Sequence, residues 1–124
     1  MLRTPLCDRF GLAHPIISAP FGDRWAGAAL AGAVSAAGGL GLIGGQMSEE
    51  SPNQADWLRE QIRLVRAQTD RPFGVGFILP FLEAYGQADL PRVALDAGAP
   101  VIALSFGDPA PYAGAIHAVG AKLI

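Results

Sequence analysis

The chain has 124 residues, a formal net charge of -2, 51% hydrophobic residues, 16 glycines and 10 prolines, which excludes a disordered segment and describes at most one globular domain with many tight connections. Its nine Lys and Arg are scattered, so it carries no basic footprint for nucleic acid or for an anionic membrane surface. The single Cys7 rules out an internal disulfide and reads as a small buried filler, and the opening MLRTPLCDRFGLAHP lacks the unbroken apolar core of a secretory leader, so a cytoplasmic protein is expected.

The first predicted element is PIISAP, residues 15–20, an apolar run opened and closed by proline that suits a buried strand. Residues 25–47 contain no charge and are long enough to cross a bilayer, yet paired glycines at 38–39 and 44–45 break helices more than they pack them. The same stretch divides better into a small-residue helix, GAALAGAVSAAGG, ended by glycine, and a buried strand, LGLIGG. In SPNQADWLREQIRLVRAQTD, helical spacing puts Trp57, Leu58, Ile62 and Val65 on one stripe and Arg59, Glu60, Arg63 and Arg66 mostly on the other, with Asn53 as a plausible cap. RPFGVGFIL reads as a strand, LPRVALDAGA as the end of a helix, and PVIALSF as a strand. DPAPYAGAIHAVG then opens a helix with Asp108 as cap and Pro109 at its first position, and AKLI begins a fifth strand.

Strict β-α alternation with nearly continuous apolar strands calls for a parallel sheet covered by helices, either open and doubly wound or closed into a barrel. The segments leaving the strands (SAPFGDRW, IGGQMSEESP, FILPFLEAYG, ALSFGDPAP) are rich in Gly, Pro and polar residues, whereas those entering are terse. A barrel carries its chemistry on that C-terminal rim. GGLGLIGG is a poor phosphate cradle, because its first glycine pair precedes a strand instead of linking a strand to a helix N-terminus.

With PIISAPFG, SAAGGLGLIGG, RPFGVGFILP, GAPVIALSFGDP and AVGAKLI in this order, the chain resembles the N-terminal half of the nitronate monooxygenase family, formerly 2-nitropropane dioxygenases, from Thr4 to Ile124. The resemblance implies a (β/α)8 TIM barrel of which this chain covers about the first four βα units and the start of strand 5. It implies FMN on the C-terminal rim and oxidation of alkyl nitronates by molecular oxygen. By position it makes Ala19, Pro20, Phe21 and Gly22 flavin contacts, since backbone approaches a flat ring where side chains are small or turned away. It also assigns Gly45 to an open rim, Gly76 to the flavin neighbourhood and Lys122 to a cation near the cofactor. Two positions depart from the family pattern: Phe21 stands where methionine is common, and Gly76 where an asparagine bonds the flavin.

Neither histidine suits catalysis, because His14 precedes the first strand and His117 lies within the last helix. The family's catalytic histidine lies beyond strand 5, so the catalytic set of this chain is expected to be empty. Ser105, projecting from a strand end, is expected to line the substrate pocket. Asp23, Arg24 and Glu83 read as solvated rim charges and Trp57 as a helix-to-sheet contact; Trp25 is a candidate cofactor cover, and Tyr85 and Tyr112 follow strands without a decided role. A barrel of this class needs about 250 residues. The sequence therefore reads as a fragment, alone inactive, whose open edges invite self-association. Two rivals stand beside this reading: a flavin enoyl-acyl-carrier-protein reductase of the same superfamily using NAD(P)H, and a non-catalytic half barrel serving as an assembly module.

Overall fold

A computed structural model describes residues 2–22, 26–46 and 53–124. Its centre is a four-stranded parallel sheet in the order β1 (Gly41–Gly44), β2 (Phe73–Ile78), β3 (Val101–Ser105) and β4 (Lys122–Leu123). Among the described residues six helices accompany it: α1 (Pro5–Phe10), α2 (Gly27–Ala36), α3 (Gln54–Gln68), α4 (Leu79–Ala84), α5 (Leu90–Asp96) and α6 (Ala110–Ala118). Sequential strand order with a helical crossover between neighbours is the arrangement of successive βα units in a barrel wall. The sheet is not closed.

Alternation along the strands assigns the two faces. Ile43, Phe73, Val75, Phe77 and Ile102 are buried against α2, α3, α5 and α6 in the main core, together with Leu58, Ile62, Val65 and Ile116. Leu40, Leu42 and Val101 point the other way and are covered by Cys7, Phe10 and Leu12. Thus α1, which the sequence reading did not anticipate, seals the inner face at the N-terminal edge of the strands, and Cys7 is the buried filler expected. Its signals are Pro5 in the first turn and Gly11, whose φ of 70° ends the helix with its N–H on the Cys7 carbonyl.

The stretch predicted as a first strand is extended but does not form a regular one. Leu40 N–H reaches the Ile16 carbonyl (2.8 Å) and Ser18 N–H the Leu40 carbonyl (3.0 Å). Continuing the parallel ladder from the Ile17↔Leu40 bridge would require an N–H from residue 20, and Pro20 has none. The Ser18 hydroxyl takes the Leu42 N–H instead (3.0 Å), and pairing resumes at Phe21↔Ile43 with the register slipped by one residue. The segment bulges at Ala19 and Pro20.

α2 has no apolar stripe, being built from Ala, Gly, Leu, Val and Ser, and it packs by close backbone approach. A Cβ on Gly41 would collide with the Ala31 carbonyl, so the first residue of β1 has to be glycine for α2 to sit where it does. Ser35, fully buried, accepts the Gly41 N–H on its hydroxyl (3.0 Å). Ser35→Ala leaves that amide without a partner and is expected to destabilise the fold by about 1–3 kcal/mol, measurable by denaturant titration. Gly38, with φ of 100°, then turns the chain out of the helix.

The stripe predicted on α3 is buried, Trp57 only partly, and Gln61 joins it, while Gln68 reaches α2 from an exposed position. Gln61 Oε1 accepts the Ala28 N–H (3.1 Å), and Gln68 Nε2 donates to the Ala28 carbonyl (3.2 Å). Each side chain fills the notch left by a glycine of α2, Gly27 for Gln61 and Gly32 for Gln68. On the solvent side, two hydrogen bonds from Arg63 hold the exposed Glu60 carboxyl below its usual pKa. Asn53 occupies the cap position of α3 without a side-chain cap bond, contrary to expectation. Asp108 does bond the first turn of α6, accepting the Ala110 N–H (2.9 Å), although Pro109 is the cap residue and the helix starts one position later than expected. The predicted rim loop after β2 contains α4, because Pro80 sits in a first turn that tolerates its missing donor. Among the described residues no helix is long and apolar enough to cross a membrane, and the uncharged stretch divides into α2 and β1.

Candidate functional site

The C-terminal ends of the strands and the bulged segment beside β1 meet in one region. Register puts Gly44, Gly76 and Ala103 in a row across three strands, all on the inner face opposite Ile43, Val75 and Ile102. This row is nearly bare of side chains. The bulge leans over it: a Cβ on Gly76 would stand 2.6 Å from Pro20 Cβ, and one on Gly44 would stand 2.7 Å from the Gly22 amide. Small residues beneath and the broken ladder above therefore have one joint result, a Pro20 ring seated on Gly76. Ala19, Pro20 and Phe21 remain exposed on the far side of that contact.

One step further toward the rim stand Gln46, Ile78 and Ser105. Ile78 pairs with Ser105, whose hydroxyl donates to the Phe77 carbonyl (3.1 Å). Ile78 N–H is received by Gln46 Oε1 (2.7 Å), so a side chain closes the opening where β1 leaves β2. Gln46 Nε2 is buried, and among the described residues nothing accepts from it. Beside this row, Phe106 follows β3 with φ of 62° and 81% of its surface exposed. An aromatic held in the left-handed region with its ring in solvent is unusual enough to mark the rim as specialised. Neither Gln46 nor Phe106 was singled out from sequence; the proline-interrupted strand and the glycine after Phe106 were the available hints.

Of the residues expected around a flavin, Ala19, Pro20, Phe21, Gly22 and Gly76 come together, with Ser105 at the neighbouring strand end. Two do not join them. Gly45 turns toward the helix layer, where a Cβ would collide with Phe77, so its smallness serves packing behind the sheet; its own N–H bonds the Gly76 carbonyl (2.9 Å). Lys122 begins β4 opposite Val101, four residues before the level of Ser105, about 13 Å along the strand direction. Its ammonium lies 5.7 Å from the centre of the Phe10 ring on α1, at the sealed edge.

The remaining candidates are dispersed. Glu83, Asp108 and Tyr112 line a cleft of about 250 Å³ with Leu79, Pro80 and Phe106. Tyr85 packs against Phe81 with the rings tilted by 50° and their centres 5.9 Å apart. Trp57 packs half-buried on the core, as expected. His14 lies beside Gly38 at the N-terminal edge and His117 is exposed in the last turn of α6, both away from the rim. Asp23, Arg24 and Trp25 lie outside the described residues. Among the described residues no cluster of His, Cys, Asp and Glu could hold a metal ion.

Comparison with known proteins agrees with this geometry. Over 90 residues, 72% of the chain, it is 37% identical to the (3aS,4S,5R,7aS)-5-hydroxy-7a-methyl-1-oxo-octahydro-1H-indene-4-carboxyl-CoA dehydrogenase of Mycobacterium tuberculosis, 23% of which is covered. FabK from Thermotoga maritima superposes on 99% of the chain with a TM-score of 0.79 and 38% identity, the match covering 37% of FabK. Nitroalkane oxidase from Streptomyces ansochromogenes superposes on 97% with a TM-score of 0.72 and 26% identity, covering 41% of that enzyme. The chain thus spans well under half the length of these proteins, and its parallel α/β sheet corresponds to part of their TIM barrels. The family model for nitronate monooxygenase matches residues 3–120, and the chain belongs to that family.

Proposed function

We propose that this chain is the N-terminal half of a flavin-dependent oxidoreductase barrel that binds FMN against its bulged first segment and oxidises alkyl nitronates with molecular oxygen. The family match over residues 3–120 carries the reading. The exposed Ala19–Phe21 segment, let down onto the sheet by the bare row of Gly44, Gly76 and Ala103, supports it, because a flat ring needs a platform fixed close to the strand ends. The orphaned Gln46 donor supplies the polar character such a ring requires at its edge.

FMN held there supplies the electron-accepting chemistry. The residues of this chain would seat and orient it: Pro20, resting on Gly76, and Phe21 would offer the platform, and Ser105 would face the substrate side. Lys122 and Gly45 are outside that seat. On this reading the proton of a nitroalkane would be handled by a group outside the described residues, since both histidines stand away from the rim; Glu83 and Asp108 line a cleft at the ends of β2 and β3 beside the seat.

A second reading has its own support. The likeness to FabK is greater than that to nitroalkane oxidase in both identity and superposition, which favours an enoyl-thioester reductase using NAD(P)H. Assays of the purified intact gene product separate the two. Oxygen uptake driven by an alkyl nitronate is the expected result, whereas oxidation of NAD(P)H coupled to an enoyl thioester, without nitronate turnover, would establish the second reading. A colourless product with no affinity for FMN would overturn both.

A further inference from the structure

We propose that Gln46 is a flavin-binding residue, its Nε2 donating a hydrogen bond to a ring carbonyl oxygen or unprotonated ring nitrogen of the cofactor. The inference rests on the flavin reading above and adds a specific contact to it.

A carboxamide offers one acceptor oxygen and two N–H donors, and only the first is used here. Ile78 N–H can donate only to an oxygen, so the 2.7 Å bond fixes which end of the Gln46 amide faces β2. The amino end is consequently turned away from β2. It is buried and, among the described residues, without an acceptor, a condition that destabilises a protein unless something else accepts from it. Its surroundings define what that acceptor is. On the β2 side stands Ile78, apolar and already bonded; on the other the chain at Gly22 runs close, its Cβ position 3.6 Å from the Gln46 carbonyl. Gln46 thus stands between the chain at Gly22 and the end of β2, one step beyond the bare row. A ligand lying on the bulge would be within reach of its amide. Flavin rings carry acceptors along an edge, while a purely apolar ligand would leave the amide as costly as before.

The anchoring bond also preorganises the donor. With Oε1 held by backbone, the amide loses little freedom on binding, so the contact favours affinity more than a free surface glutamine would.

Gln46→Glu is the discriminating change in the intact protein. It keeps an oxygen for Ile78 N–H and the same shape, but replaces the donor by a second acceptor that repels the ring edge. Titrating apoprotein with FMN and following fluorescence quenching, the variant is expected to bind at least about tenfold more weakly. The visible absorption of the flavin that does bind is expected to shift, and its midpoint potential to fall, because a carboxylate disfavours added electron density. Gln46→Met, equally long and without either polar group, is the second variant should the glutamate fail to fold, with weaker FMN binding again expected. Wild-type affinity together with an unchanged spectrum in whichever variant folds would overturn the proposal. Failure of the wild-type protein to bind FMN would instead overturn the reading beneath it.

Discussion

Gly41→Ala is expected to destabilise the protein by about 3 kcal/mol, among the largest effects a single added methyl can have. The new Cβ would overlap the Ala31 backbone carbonyl, and backbone in the middle of a ten-residue helix does not step aside as a side-chain tip does. Relief requires α2 to move off the sheet. That movement would also stretch the bond between Ser35 and Gly41 and draw the Gly27 and Gly32 notches away from the two glutamines of α3. The matched control is Gly114→Ala, in the interior of α6 with no atom within 4 Å of the new methyl. That change is expected to stabilise by about 0.5–1 kcal/mol, as alanine does in an open helix site. Urea titrations of the intact protein decide the matter: two glycines, one amino-acid change, opposite signs. Equal and small effects would mean that the α2 to β1 approach is looser than described.

On the flavin reading proposed above, Gly76→Leu should have the largest effect on FMN binding. Pro20 occupies the space a side chain at Gly76 needs, and its contacts stand at 2.6 and 2.8 Å from the added Cβ, so the bulge is lifted from the row. A displacement of an ångström in a positioning segment typically costs about a hundredfold in function. Comparable loss of FMN affinity is expected, with the fold retained because the outer face of β2 is untouched. Fluorescence titration against the unaltered protein measures it, and circular dichroism verifies that the barrel persists. Retained affinity would show that the ring does not lie against the bulge.

Much of this arrangement was legible in the residues. The stripe of α3, the continuous apolar strands and the glycine end of α2 follow from local periodicity, and the structure carries them with boundaries moved by a few positions. What was not legible depends on partners distant in the chain. Pro20 plainly lacks a donor, but that it breaks a ladder becomes apparent only once Ile17 is known to pair with Leu40. Gln61 looks like a solvent-facing residue until Gly27 of α2 supplies a notch for it, and nothing local shows that the exposed Gln68 reaches the notch at Gly32. Gln46 gave no signal, since its meaning comes from a strand that departs from its neighbour one residue earlier. Gly76 was noted as a departure from its family; that the bare position seats Pro20 could not be read until the bulge was placed over it. The separation of Lys122 from the rim likewise needed the register of β4, which two bonded residue pairs define.

The two glutamines that reach from α3 to Ala28 have a dynamic consequence. Amides in the first turn of a helix ordinarily lack an intrahelical acceptor and exchange with solvent quickly. Ala28 N–H is instead bonded by Gln61, and the Ala28 carbonyl is held by Gln68. Deuterium uptake at this amide is therefore tied to the opening of α3, a helix that begins 26 residues further along the chain. The pair should behave as one cooperative unit, opening and closing together, so that the start of α2 reports on the integrity of its neighbour and not on its own fraying.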